Sequence, residues 1–233
     1  MLRKVFASLL LTITVVAFIA VPVTAHEMYR NYPMRMQDRN SSNGPLLHVH
    51  YKYMRNEGAP AHYYDCAIDA KDAWAGFANV TDGGCNQLIP TEMNISFRCS
   101  EDIWNSMGFS PFVLGFTWIV DSDGNSIVDE YDCIYSSGII DYSIIYMNPT
   151  GDIFYHETDD LTVVLNRIQK TMVHEIGHAM GLGHPDRDSY SPIADTTFSV
   201  MRQGFPDEVN SGTVPQAHER IDLNSMYGLG GAQ

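Results

Sequence analysis

The chain has 233 residues, 45% of them hydrophobic, enough for one sizeable domain with a buried core. Its formal net charge of -14 at pH 7 argues against nucleic acid or anionic membrane as a partner, because like charges repel. No low-complexity tract, internal repeat or shift in composition marks a second domain, and no stretch after residue 25 could span a bilayer.

Residues 1–25 read as a secretory signal. Arg3 and Lys4 precede an uncharged apolar run from Val5 to Ala20, followed by Pro22 and the small-residue end "VTA". Cleavage is expected after Ala25, which makes His26 the first mature residue of an extracellular protein without stable membrane insertion. Residues 26–44, "HEMYRNYPMRMQDRNSSNG", are polar and aperiodic, an N-terminal arm or short pro-segment that ends at the Gly44–Pro45 break. Residues 45–233 then form one α+β unit, expected to be monomeric. Its four cysteines, Cys66, Cys85, Cys99 and Cys133, are even in number, so two disulfides are expected, with three pairings open. No C-x-x-C spacing suggests a metal site among them.

"LLHVHYKYM" (46–54) alternates and is aromatic, which predicts a strand. His48 and His50 share one face of it, as surface or groove residues with no third metal ligand to join them. "CAIDAKDAWAGFANV" (66–80) has helical spacing at Ile68, Ala70, Ala73, Trp74 and Phe77, with Gly83-Gly84 after it. "MNISFRCS" (93–100) predicts a second strand. "VLGFTWIV" and "SIVDEYDCIY" flank "DSDGN" as a hairpin turning at Asp123-Gly124, and "YSIIYMN" (142–148) predicts another strand closed by Pro149.

From Thr158 the period changes. Leu161, Val164, Leu165, Ile168, Met172, Ile176 and Ala179 recur at three- and four-residue steps, a buried helical stripe. Thr158, Asp159 and Asp160 cap its start. "VPQAHERIDLNSMYG" (214–228) opens with proline and closes with glycine, as a terminal helix does.

The stripe runs into "HEIGHAMGLGH" (174–184). His174 and His178 lie four apart, so both rings leave one face of the helix and can reach one zinc ion. Gly181 follows where a helix end favours a left-handed residue, and the reversal brings His184 to the same ion from outside the helix. Three neutral imidazoles leave a fourth position open for water, as catalytic zinc sites do. Glu175 lies about 100° around the helix from His174, placed to act on that water rather than on the metal.

The pattern H-E-x-x-H-x-x-G-x-x-H followed by "FSVM" resembles the metzincin zinc metalloendopeptidases. "VLGFTWIVDSDGNSI", "IIYMN" and the ending "IDLNSMYG" extend the likeness toward matrixin-like secreted peptidases over about residues 45–229, while "HP" after His184 and "SVM" look serralysin-like. The resemblance implies a metzincin-like α+β fold with a twisted mixed sheet, an active-site helix and a C-terminal helix. It also implies one catalytic Zn2+ on His174, His178 and His184, Glu175 as general base, and Met201 as the Met-turn residue that floors the site. Substrates would be extended proteins or peptides lying along an edge strand.

Some family features are missing. Gln203 stands where serralysins and astacins carry a tyrosine ligand, no cysteine precedes Cys66 for a cysteine switch, and no histidine-rich second zinc site lies between 121 and 147. Asp38 in the arm is the candidate for a latency contact. Asp121, Asp123 and Asn125 begin like a calcium loop but lack its glycine and final glutamate, so Ca2+ has no clear motif. Asn40, Asn79 and Asn94 open glycosylation sequons. Two other functional classes compete with this reading: a copper-dependent oxidative enzyme using a mature N-terminal His26, and an inactive binding module on the same fold. The first has no partner histidine, and an intact Glu175 speaks against the second.

Overall fold

Five short strands alternate with helices along the chain, and their hydrophobic faces decide how they stack. The computed structural model describes residues 46–51, 53–75, 77–82, 93–110, 112–121, 124, 126, 140–150, 154, 160–184, 199–201, 213–217, 219 and 223. In chain order these give β1 (Leu46–His50), α1 (Tyr53–Asn56), α2 (Ala61–Ala73), β2 (Asn79–Asp82), β3 (Met93–Arg98), α3 (Glu101–Met107), β4 (Gly115–Asp121), β5 (Ile140–Met147) and α4 (Leu161–Ala179). The signal, the 26–44 arm with His26 and Asp38, Asn40, Cys85, Cys133, Pro185 and Gln203 lie outside the described residues.

The strands form one mixed sheet in the order β2-β1-β3-β5-β4, in which all neighbours are parallel except β4 and β5. The α+β class expected from the sequence holds. Alternation sends Leu47, Val49, Ile95, Phe97, Ile119, Ile145 and Met147 to one face, where all are buried. Helix α4 packs there against β4 and β5, and α2 packs against α4. The Trp74 indole donates to the Val173 carbonyl at 3.0 Å and pins the end of α2 to the middle of α4.

Helix α4 starts after Asp160, whose Oδ1 accepts from the Val163 amide at 3.0 Å. Val164, Ile168, Met172, Ile176 and Ala179 are fully buried, each larger one contributing about 1.5–3 kcal/mol by transfer from water. Leu161 does not join them: it sits at the frayed end and is 57% exposed. Helix α2 begins at Ala61 rather than at Cys66, because Pro60 (φ -53°, ψ 140°) ends an extended approach and a helix can start directly behind it. It ends at Ala73, and residues read from sequence as its last turn form β2 instead. The strand read over 46–54 stops at His50, and Tyr53–Asn56 form the short helix α1 instead. Helix α3 is a further addition, capped by the Ser100 hydroxyl, which accepts from Ile103. Gly124 has φ 81° and Val120 makes an antiparallel bridge to Ser126; residues 122, 123, 125 and 127–139, on which the rest of the expected hairpin falls, lie outside the described residues. Of the terminal helix, residues 217, 219 and 223 are helical.

The other face of the sheet corrects two expectations. His48 and His50 are buried, with ring centroids 4.7 Å apart, and His50 Nε2 meets Asn94 Oδ1 at 3.3 Å. They are not groove residues, because the face opposite the helices is itself covered at these positions. Asn94 is buried for the same reason and is no glycan acceptor in the folded protein.

The two-disulfide expectation also fails. Cys66 and Cys99 are both buried free thiols. Cys66 faces α4 and lies 3.6 Å from the Leu165 carbonyl, while Cys99 directly follows β3, where its amide donates to Glu57. Burial first, then Asp69 and Asp65 beside Cys66 and Glu57 beside Cys99, pushes each thiol up to about 12. Small buried thiols held protonated behave as core hydrophobes. At pH 8, iodoacetamide should therefore leave Cys66 and Cys99 unlabelled in the native protein and label both after denaturation without reductant. Recovery of either as a disulfide-linked peptide by mass spectrometry would contradict this assignment.

Candidate metal centre

The helix stripe carries His174 and His178 to the end of α4, where the chain must turn. Gly181 adopts φ 97°, its amide donates to the His178 carbonyl at 2.7 Å, and the Leu182 amide donates to the Gly177 carbonyl at 2.9 Å. These paired bonds are the Schellman arrangement, which needs a left-handed residue and is easiest for glycine. The reversal delivers His184 back toward the helix. It also aims the Leu182 carbonyl at His178 Nδ1, 2.7 Å away.

The three rings converge. His174 Nε2 lies 2.9 Å from His178 Nε2 and 3.0 Å from His184 Nε2, and the last pair is 3.1 Å apart. A carbonyl can only accept, so the Nδ1 atoms of His174 (2.8 Å from the Val200 carbonyl) and His178 must carry the protons. In the neutral rings Nε2 then presents a lone pair. Burial keeps His174 neutral by lowering its pKa to about 4, against the opposing pull of the Val200 carbonyl and Glu219. Lone pairs meeting at such distances repel unless a cation lies among them. A point about 2.0–2.1 Å from all three nitrogens, the zinc–imidazole distance, exists above a triangle of this size. The donor set fits zinc, and His174, His178 and His184 are the group able to hold a metal among the described residues.

Glu175 stands beside this cluster without joining it. It is 4% exposed, and Thr117 on β4 donates to its Oε2 at 2.6 Å. Burial raises its pKa to about 7, against the lowering effect of that hydroxyl. A carboxyl poised near neutrality can both take and return a proton.

Met201 is buried, with its thioether against Gly177 of α4. The reason it fits is Gly177: a Cβ there would fall 2.1 Å from Met201 Sδ and 3.3 Å from Trp74 Cζ2. Glycine inside a helix costs about 1 kcal/mol relative to alanine, and here the missing methyl is the space that the thioether fills. Both helix-weakening glycines of the motif thus have steric causes.

Glu219, which the sequence did not single out, fastens the Met-turn. Its buried carboxylate accepts from the Ser199 hydroxyl at 2.8 Å, the Val200 amide at 2.9 Å and the Gln216 amide. Ser199 Oγ in turn accepts from the Met201 amide at 3.0 Å. The Val200 carbonyl that orients His174 lies in the peptide whose Met201 amide donates to Ser199 Oγ, so the Glu219 carboxylate holds that peptide through Ser199 and through the Val200 amide on its other side. Glu219→Ala should leave buried donors unmatched and lower unfolding stability by about 1–3 kcal/mol or more. Unchanged urea denaturation of that variant would show that the clamp contributes nothing.

Residues 102–196, which run from α3 through the third histidine, match Peptidase family M54. The archaemetzincins of Saccharolobus islandicus (strain L.S.2.15 / Lassen #1) and Saccharolobus solfataricus are 36% and 33% identical to the chain over 67 residues. Those stretches cover 29% of this chain and 36% of each relative, so the chain spans about a third of the length of the curated relatives it matches. Among solved structures, the archaemetzincin of Methanopyrus kandleri gives a TM-score of 0.43 at 12% identity, covering 81% of this chain and 98% of that one. A zinc-dependent peptidase of Methanocorpusculum labreanum gives 0.39 at 13%, covering 76% and 100%. The matrixin-like and serralysin-like affinities read from short flanking segments are thereby corrected: the stretch that carries the three histidines is similar to the archaemetzincin peptidases of family M54.

Proposed function

We propose that this protein is a secreted, monomeric zinc endopeptidase of the archaemetzincin kind that hydrolyses extended polypeptides. The observation that carries the proposal is the convergence of three imidazole Nε2 atoms, with two of the rings locked by backbone carbonyls. The similarity of residues 102–196 to a peptidase family supports the reaction class. Secretion rests on the signal pattern of residues 1–25.

His174, His178 and His184 would hold the ion, with the Val200 and Leu182 carbonyls fixing two of the rings. Zinc in such a three-histidine site supplies Lewis acidity toward a carbonyl oxygen and lowers the pKa of water to about 7. Glu175 takes a proton from the attacking water and later returns it to the leaving amine, and a pKa near 7 suits both transfers. Cys66 and Cys99, with thiols pushed up to about 12, are no competing nucleophiles.

Glu175→Gln should keep zinc at the wild-type stoichiometry while peptide hydrolysis falls by about 10²–10⁴-fold, the usual range for a general base. Substantial residual hydrolysis in that variant removes the role. His184→Ala should lose zinc on dialysis against a chelator that leaves the wild type loaded; equal retention takes His184 out of the ligand set. N-terminal sequencing of protein exported by a secretory host should begin at His26, and a retained Met1 ends the secretion reading.

A further inference from the structure

We infer that Thr117 is a positioning residue for Glu175, and that β4 is built to hold that carboxylate through the pair Gly115 and Thr117. The inference rests on the reading of Glu175 as general base and adds what keeps it in place. Thr117 is fully buried on the face of β4 that meets α4. Its Oγ1 lies 2.6 Å from Glu175 Oε2 and 3.0 Å from the Glu175 main-chain carbonyl, so one hydroxyl touches side chain and backbone of the same residue. A hydroxyl has one proton to give, and against an ionised carboxylate the charge-assisted bond is the stronger claim on it.

Gly115 precedes Thr117 by two positions and therefore shares its face. A Cβ at Gly115 would lie 2.9 Å from Glu175 Cγ, 3.0 Å from its Oε1 and 3.1 Å from Thr171 Cγ2. The strand thus grips one carboxylate oxygen and leaves a notch for the other. A glutamate has three side-chain torsions, and neither the helix nor the histidines fix all of them. Contact with the strand removes that freedom before any reaction begins, which is the entropic part of catalysis by pre-organisation.

Thr117→Val keeps the branched shape and removes the donor, whereas Thr117→Ser keeps the donor and removes a methyl group. In the zinc-loaded protein, Thr117→Val should lower kcat by about tenfold to a hundredfold with KM and zinc content unchanged, and Thr117→Ser should restore most of it. Gly115→Ala, which fills the notch, should show the same split between kcat and KM. Wild-type kcat in Thr117→Val overturns the inference, as does an equal loss in the serine variant, since packing would then explain both. A double-mutant cycle of Thr117→Val and Glu175→Ala, read by urea unfolding of the metal-free protein, should be non-additive. Additivity there overturns the inference without reference to activity. A wild type that cleaves no peptide instead overturns the proposed function, while the cycle still decides whether Thr117 holds Glu175.

Discussion

The Nε2 atoms of His174, His178 and His184 meet within about 3.1 Å of each other, and the rest of the molecule is arranged around that convergence. Neutral imidazoles do not gather this way for their own stability. Each needs an external constraint, and two of those constraints are visible as backbone carbonyls that claim the Nδ1 proton. The fold converges these donors on one point and orients two of the rings through backbone carbonyls.

The constraints come from three separate parts of the chain. Helix α4 contributes two rings and the rigidity of a nineteen-residue element with a fully buried stripe. The turn at Gly181 contributes the third ring and the carbonyl that orients His178. The Ser199–Met201 segment contributes the carbonyl that orients His174, and it is held from below by Glu219. The left-handed turn is paid for by helix packing, and the Met-turn depends on a carboxylate nearly twenty residues further on.

Glu175 shows the same logic applied to electrostatics. A carboxylate at 4% exposure is costly to ionise, and that cost is what brings its proton affinity toward neutrality. Thr117 limits the shift by favouring the charged form. Burial and hydrogen bonding thus oppose each other at one group: burial raises the proton affinity of Glu175 and the Thr117 hydroxyl lowers it. The glycines at 115 and 177 serve packing in the same neighbourhood: each omits a methyl where a functional side chain must come within van der Waals contact of backbone.

Local pattern alone was enough for the ligand set, the left-handed turn, the long helix and four of the five strands, because helical spacing, strand alternation and the conformational freedom of glycine act within a few residues. It was not enough for β2 or α3, four and seven residues long, whose periods barely repeat, although Ser100 followed by Glu101 and Asp102 was a readable cap. The family likeness shared the same limit: the zinc motif is common to many relatives, and the short flanking matches pointed to the wrong branch. Tertiary structure decided what lies far apart in sequence. Thr117 reaches Glu175 across 58 residues, Val200 reaches His174 across 26, and Glu219 reaches Ser199 across 20. Only the folded chain could show that Cys66 and Cys99 sit apart as buried thiols, or that His48 and His50 face inward. Such contacts obey no periodicity, because they are set by which faces of the sheet and helices the core brings together.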